Sequence, residues 1–226
     1  MEIVLNIKNS VKVLVVAFPL IAALPWVAAQ ATTGIPSNGS LGFTVQRDGE
    51  NVGEHTIRFD NSDDSLKVEV QTSINVKLPF LGVSVYHFEH KGSELWRDGA
   101  LIRLESTTDD DGEPRRLNVR REGEKLRVES NIAEHDSAAN LIPASLWHPD
   151  LITRHVLLNT LDGSEMAVSV SEQANETLQV QGRAVQTRHF VVSGGLNREL
   201  WYDAKGVLVK VAFAAKDDSR IEYVLK

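Results

Sequence analysis

The sequence predicts an all-β fold, mainly an antiparallel meander of about 10–12 strands that forms a strongly curved sheet or an open or closed β-barrel. The longest strand signal covers residues 66–78, where apolar and polar residues alternate. Shorter segments repeat this alternation, and turn-forming dipeptides that end in glycine separate them. At about 3.3 Å per residue the long strand would extend on the order of 40 Å, which suits a curved wall better than a compact sandwich.

The N-terminal residues are predicted to be an export signal. Lys8 and Lys12 precede an apolar run of about twelve residues at 13–24, which is too short to cross a bilayer. Ala29-Gln30-Ala31 then supplies the small-x-small pattern that a signal peptidase cuts, so we expect cleavage after Ala31. Val27-Ala28-Ala29 is the neighbouring alternative.

This interpretation divides the chain into a signal peptide at 1–31 and a single antiparallel β domain at 32–226. We expect the mature protein to be periplasmic or secreted, and not to be an integral membrane protein after cleavage. The mature chain would carry a formal charge of about −8, because the signal removes two lysines and one glutamate. An acidic surface repels phosphate backbones, so no nucleic-acid partner is expected. The sequence has no cysteine and therefore no disulfide or thiol chemistry.

The remaining strands are predicted by shorter alternating runs. Their apolar residues are Ile102 and Leu104, then Leu126, Val128 and Ile132, then Met166, Val168 and Val170, then Val207, Val209, Val211 and Phe213, and finally Ile221, Tyr223 and Leu225. Predicted hairpin turns fall at Asp48-Gly49, Asp98-Gly99, Asp111-Gly112, Glu122-Gly123, Asp162-Gly163 and Lys205-Gly206. Because short turns join these runs, strands that are neighbours in sequence are expected to be neighbours in the sheet.

The middle of the chain interrupts this pattern. Between residues 137 and 161 the apolar residues recur at spacings near three and four, which predicts one or two short helices. Pro143 and Pro149 limit their length, and the second helix is expected to begin near Pro149. Such a helix either extends the core or forms a lid over a ligand cavity.

The sequence contains no nucleophile elbow, phosphate loop or zinc-protease motif. His87 and Glu89 would lie on one face of a strand and form a candidate polar site, with His90 on the other face. No metal site and no cofactor are predicted. An enzyme, the less favoured interpretation, would need His87, Glu89, His90 and Glu94 to converge in one cleft.

Several turn and aromatic landmarks carry a resemblance to a known family. They are Asp48-Gly49, Gly53 with His55, Tyr86 with His90, Glu94, Trp96 and Asp98-Gly99, Trp147, and Glu199-Leu200-Trp201-Tyr202-Asp203. With these the chain, from Phe43 to Leu225, resembles a family of exported proteobacterial all-β proteins known only as a domain of unknown function. This resemblance implies no activity, because the family has no assigned catalytic residues. More distantly, the predicted meander is similar to the half-barrels of periplasmic lipoprotein carriers, a likeness of fold alone.

The leading functional hypothesis is a periplasmic binding or carrier protein for a lipid-like or other apolar ligand. It predicts a cavity lined by Val70, Ile74, Val76, Trp147 and Leu151. The alternative is an interaction or structural protein of the cell envelope with a filled core and no ligand. An integral outer-membrane barrel is less favoured, because the sequence shows no aromatic girdles.

Overall fold

The computed structural model describes residues 34–62, 64–77 and 83–226. The predicted signal peptide at 1–31 and the predicted end of the long strand at Leu78 lie outside these residues. Within them the chain forms sixteen strands and one 3₁₀ turn, and no α-helix. The strands are β1 Ser40–Arg47, β2 Glu50–Ser62, β3 Ser65–Lys77, β4 Ser84–Arg97, β5 Ala100–Asp110, β6 Glu113–Glu122, β7 Lys125–Ser130, β8 Glu134–Ala138, β9 Ile142–Pro143, β10 Val156–Leu158, β11 Glu165–Glu172, β12 Glu176–Val180, β13 Arg183–Gly194, β14 Arg198–Asp203, β15 Leu208–Ala214 and β16 Arg220–Leu225.

All sixteen strands belong to one sheet. Strands β1 to β8 pair in sequence order, as do β13 to β16, and β1 joins the two groups by pairing with β16. Strands β11 and β12 pair with different halves of β13, and β9 pairs with β10 in parallel. The prediction of a mainly antiparallel all-β fold is thus confirmed, while a closed barrel is wrong because the sheet ends at β8 and β9.

The count of 10–12 strands was too low. Four strands, β8, β9, β10 and β12, are only two to five residues long, so they are too short to show clear alternation in the sequence. Ile132 also departs from its prediction, since it lies beyond the end of β7 and is exposed.

Three of the four predicted Asp-Gly hairpins adopt the expected tight geometry, whereas Asp162-Gly163 lies within the longer connection 159–164 between β10 and β11 and only its glycine has a positive φ. In the turns Asp48-Gly49, Asp98-Gly99 and Asp111-Gly112 both residues have positive φ, near 50° for aspartate and 72° to 89° for glycine. This is the type I′ turn, whose twist matches that of the flanking strands. Each turn therefore fixes the register of the strand pair that it joins.

The helices predicted between residues 137 and 161 are wrong. Only Pro149–Thr153 is helical, as a 3₁₀ turn capped by His148, and most of the segment is irregular chain. Some of its buried residues are adjacent in sequence, such as Leu157 and Leu158. Adjacent residues point in different directions, so the segment is buried on several sides, whereas an amphipathic helix would bury one face. The prolines further shorten any helix.

This middle segment packs against the inner face of the curved sheet. Trp147 is 1% exposed and contacts the rings of Phe59 and Trp96 edge-on, with centroids 5.3 and 5.6 Å apart. Further along, the Ser106 hydroxyl donates to the carbonyl of Thr160 at 2.6 Å. The sheet and the segment therefore share one apolar core, which draws buried residues from β1 to β7 and from β13 to β15.

Candidate functional site

A row of four polar residues crosses the inner face of strands β2 to β5. His55, Thr72, His90 and Thr108 stand directly opposite one another in consecutive strand pairs, and each is less than 8% exposed. The Nδ1 atom of His55 is hydrogen-bonded to Oγ1 of Thr72 at 2.7 Å, and that of His90 to Oγ1 of Thr108 at 2.8 Å. The fold thus places the two imidazoles on the same inner face, on the two strands that flank β3, with Thr72 between them.

Burial keeps both imidazoles neutral. Desolvation, with a smaller repulsion from His90, lowers the pKa of His55 to about 3. Desolvation also lowers the pKa of His90 to about 4. Neither Nε2 atom has a hydrogen-bond partner within the described part of the chain. Two neutral nitrogens are therefore available to a molecule that enters this space.

Glu94 lies four residues after His90 on β4 and so faces the same side. It is 1% exposed, and its Oε2 atom accepts hydrogen bonds from the indole N–H groups of Trp96 at 2.8 Å and Trp147 at 3.0 Å. Burial raises the pKa of Glu94, and the Ser145 hydroxyl and the two indoles oppose part of that shift.

The other oxygen of Glu94, Oε1, makes no hydrogen bond of good geometry with a described residue. The same is true of the Ser145 hydroxyl, although it lies close enough to the carboxyl to affect its pKa. The Ser145 hydroxyl is therefore placed to donate to this oxygen, and Glu94, Ser145 and the two indoles form a small buried polar cluster.

Backbone strain marks the same place. Leu146, which follows Ser145, has a φ of 68°, a conformation that a bulky side chain rarely adopts. The Tyr202 hydroxyl donates a hydrogen bond to the Leu146 carbonyl at 2.7 Å, which helps to hold the backbone in this conformation. Strained residues of this kind persist where the surroundings over-determine them, and they concentrate at functional sites.

These groups border a pocket of about 250 Å³ on the inner face of the sheet, which is partly open to solvent and which we call the interior cavity. It lies between the polar row and two stretches of the middle segment, Ala144 to Leu146 and Asn159 to Leu161. Its apolar lining residues are Val70, Phe88, Leu104, Leu146, Met166 and Leu196. Its polar lining residues are His55, Thr72, His90, Glu94, Ser145, Arg198 and Tyr223. The volume is just below the range of about 300–1,000 Å³ for ligand pockets, so the space suits a small molecule.

A larger groove of about 790 Å³ lies on the outer face of β2 to β7. Exposed side chains of both charges line it, including Arg58, Glu69 and Lys91. We favour the interior cavity as the candidate site, because a strained backbone residue, two buried histidines and a buried carboxyl meet there.

The structure separates the five residues predicted to line an apolar cavity. Val70 lines the interior cavity, and Trp147 lies behind it as a hydrogen-bond donor to Glu94. Leu151 is fully buried in the core. Ile74 and Val76 are half-buried farther along β3, where Val76 borders a different, polar groove.

The candidate polar residues His87 and Glu89 lie on the opposite face of β4 from His90 and Glu94. The Ser73 hydroxyl donates to Glu89 there. The set of four that an enzyme would need is therefore divided between the two faces of the sheet and does not form one cleft.

Sequence reasoning missed several cavity residues, yet a signal for some of them was present. In β3, Thr72 occupies the apolar phase of the alternation, between Val70 and Ile74. His55 and His90 occupy the buried phase of their own strands in the same way. A polar residue at the buried phase of successive strands indicates an interior polar site.

Metal sites and membrane-spanning helices are two common kinds of functional element. The residues that the structure describes contain no group of three or more His, Asp or Glu side chains placed to hold a metal ion. They also contain no helix that is long and apolar enough to cross a membrane.

Comparison with known proteins agrees with this fold. The structure is similar to the crystal structure of a beta-barrel-like protein of the domain of unknown function DUF1849 from Brucella abortus, with a TM-score of 0.60 and 12% sequence identity over 83% of this chain and 94% of that chain. No curated protein matches the sequence. The model of the family "Domain of unknown function (DUF6134)" matches residues 43–226, which includes every cavity residue. The chain therefore belongs to the DUF6134 family.

Proposed function

We propose that this chain is an exported binding protein that holds a small, partly apolar molecule in the interior cavity. The observation that carries the proposal is the cavity of about 250 Å³ with apolar walls, two neutral histidines and the buried carboxyl of Glu94. Apolar walls with a few convergent polar groups are the usual composition of ligand sites. A cavity of this size does not enclose a long acyl chain, so we restrict the proposed lipid-like or apolar ligand to a small molecule.

Export to the periplasm or the medium is part of the same proposal. Its support is the sequence of residues 1–31, with two lysines, a short apolar run and Ala29-Gln30-Ala31. Cell fractionation followed by N-terminal sequencing tests it, with a mature N-terminus at Thr32 as the expected result. Retention of the full chain in the cytoplasm contradicts it.

The binding proposal is tested by native mass spectrometry of the mature protein purified from the periplasm, followed by organic extraction of any bound molecule. A stoichiometric bound molecule supports the proposal. A clean unliganded mass, together with no uptake of small amphiphiles, contradicts it.

A pair of glycine variants locates the bound molecule. Gly92 lines the cavity, and a side chain there has room, since the nearest atoms to its Cβ position are His90 Nε2 at 3.4 Å and Val70 Cβ at 3.8 Å. Gly92→Leu should fill the cavity and abolish binding. Gly42→Leu is the matched control, because Gly42 is also a strand glycine and has no atom within 4 Å of its Cβ position. Equal binding by both variants would place the molecule elsewhere.

A further inference from the structure

Arg198 brings a positive charge to the cavity from β14. It alternates with Leu200 and Tyr202, which are buried in the core, so all three face inward. The guanidinium carbon lies 3.7 Å from the centroid of the Phe213 ring. Phe213 in turn packs edge-on against Tyr223 at 6.1 Å, and Tyr223 lies 5.1 Å from the His55 ring. An aromatic wall thus connects the arginine to the polar row.

This guanidinium has no carboxylate partner among the described residues. Its one hydrogen bond goes from Nη1 to the carbonyl of the neighbouring Asn197 at 2.7 Å. Arg188 provides a contrast, because it also lies over a ring, that of Phe190 at 4.8 Å, but is paired with Glu172 at 2.8 and 3.1 Å. Arg198 is half-buried, and this burial lowers the pKa of its guanidinium, so the charge is only partly solvated.

The other titratable groups of the cavity do not neutralise this charge by contact. His55 and His90 are neutral, and burial raises the pKa of Tyr223, so its phenol is neutral as well. Glu94 is the one carboxyl in the lining, its pKa is raised, and its hydrogen bonds go to indoles and not to the arginine. A half-buried arginine without a carboxylate partner forms a charge-assisted hydrogen bond with an oxyanion that reaches it.

We propose that the cavity binds a small amphipathic oxyanion, a carboxylate or a phosphate ester, whose head pairs with Arg198 and whose apolar stem lies against Phe88, Leu104 and Met166. This inference rests on the proposed function and specifies its ligand class. The volume corresponds to roughly eight water-sized groups at about 30 Å³ each, so the stem is short.

The test compares three probes that share a four-carbon chain, so that head and stem together match the volume of the cavity: butanoate, butyl phosphate and 1-butanol. Isothermal titration calorimetry on the mature protein should show butanoate or butyl phosphate binding about 10- to 100-fold more tightly than 1-butanol, which is the usual contribution of a charge-assisted hydrogen bond. The preferred anion identifies the head group. Equal binding of 1-butanol and both anions overturns the inference but leaves the proposed function standing, whereas no binding of any probe overturns both.

Three arginine variants assign the preference to a residue. Arg198→Gln should lower anion binding to the level of 1-butanol and leave the binding of 1-butanol unchanged. Arg188→Gln, which removes a ring-stacked arginine outside the cavity, should change neither. Arg198→Lys keeps the charge and should retain part of the preference, which provides a folded comparison if Arg198→Gln is unstable. An anion preference that survives both Arg198 variants unchanged refutes the assignment.

Discussion

Acidification should destabilise this protein through its two buried histidines. His55 and His90 have folded pKa values of about 3 and about 4, against an ordinary value of 6.5. Because the folded pKa values are depressed, the unfolded chain binds more protons than the folded one between pH 6.5 and these values. The stability due to neutral burial is therefore complete above pH 6.5 and is lost as the pH falls.

The expected loss follows from proton linkage. Between pH 7 and pH 5 each histidine lowers the free energy of unfolding by about 2 kcal/mol, or about 4 kcal/mol for the pair. That is a large share of the 5–15 kcal/mol typical of a domain. Glu94 acts in the opposite direction, because its raised pKa lets the folded state take up a proton first, so it offsets part of the loss. A comparison of each histidine variant with the parent cancels the Glu94 contribution.

The assay is urea denaturation of the mature protein at pH 7 and pH 5, followed by tryptophan fluorescence. His55→Asn and His90→Asn should each reduce the pH 7 to pH 5 difference in unfolding free energy by about 2 kcal/mol, and the double variant by about 4 kcal/mol. His155→Asn, at an exposed position, is the control and should reduce it little. If the double variant keeps the full pH difference of the parent, the two imidazoles are not held neutral and the reasoning is refuted.

Two further predictions concern stability at neutral pH. Glu94→Ala leaves the indole N–H groups of Trp96 and Trp147 without an acceptor and should lower the free energy of unfolding, measured by urea denaturation, by on the order of 2–5 kcal/mol. Glu94→Gln keeps an acceptor and should lower it by less than about 1 kcal/mol. Equal losses in the two variants would show that the two hydrogen bonds contribute nothing to stability. Gly163→Ala should cost roughly 2–4 kcal/mol, because φ is +81° and the new Cβ would lie 2.4 Å from a Val128 methyl, while Gly112→Ala, with a φ of +89° and no close atom, should cost only about 1–2 kcal/mol.

The fold was readable from the sequence where local rules decide it. Alternation predicted the start of β3 to within one residue. Asp48-Gly49 and Asp98-Gly99 form the predicted hairpins. The middle segment was misread because helical spacing and an irregular buried chain both place apolar residues every three to four positions. Only tertiary contacts, such as those of Trp147 with Phe59, distinguish the two.

The cavity was harder to predict because it depends on pairing between strands. His55, Thr72 and His90 are 17 and 18 residues apart, and only the strand register places them side by side. Arg198 reaches the same space from the other end of the chain. The sequence shows that these residues lie at the buried phase of their strands, but it does not show that the strands meet.

The energetic cost of this polar cluster argues for a function. Replacing His55, His90 and Glu94 with apolar residues of similar volume would remove two desolvated imidazoles and a buried carboxyl, each of which has a desolvation cost. Arg198 adds an only partly solvated charge with no described carboxylate partner, and Leu146 adds a strained backbone conformation. A core that served packing alone would gain nothing from these features. A bound oxyanion with a short apolar stem would pair with the charge of Arg198 and fill the cavity.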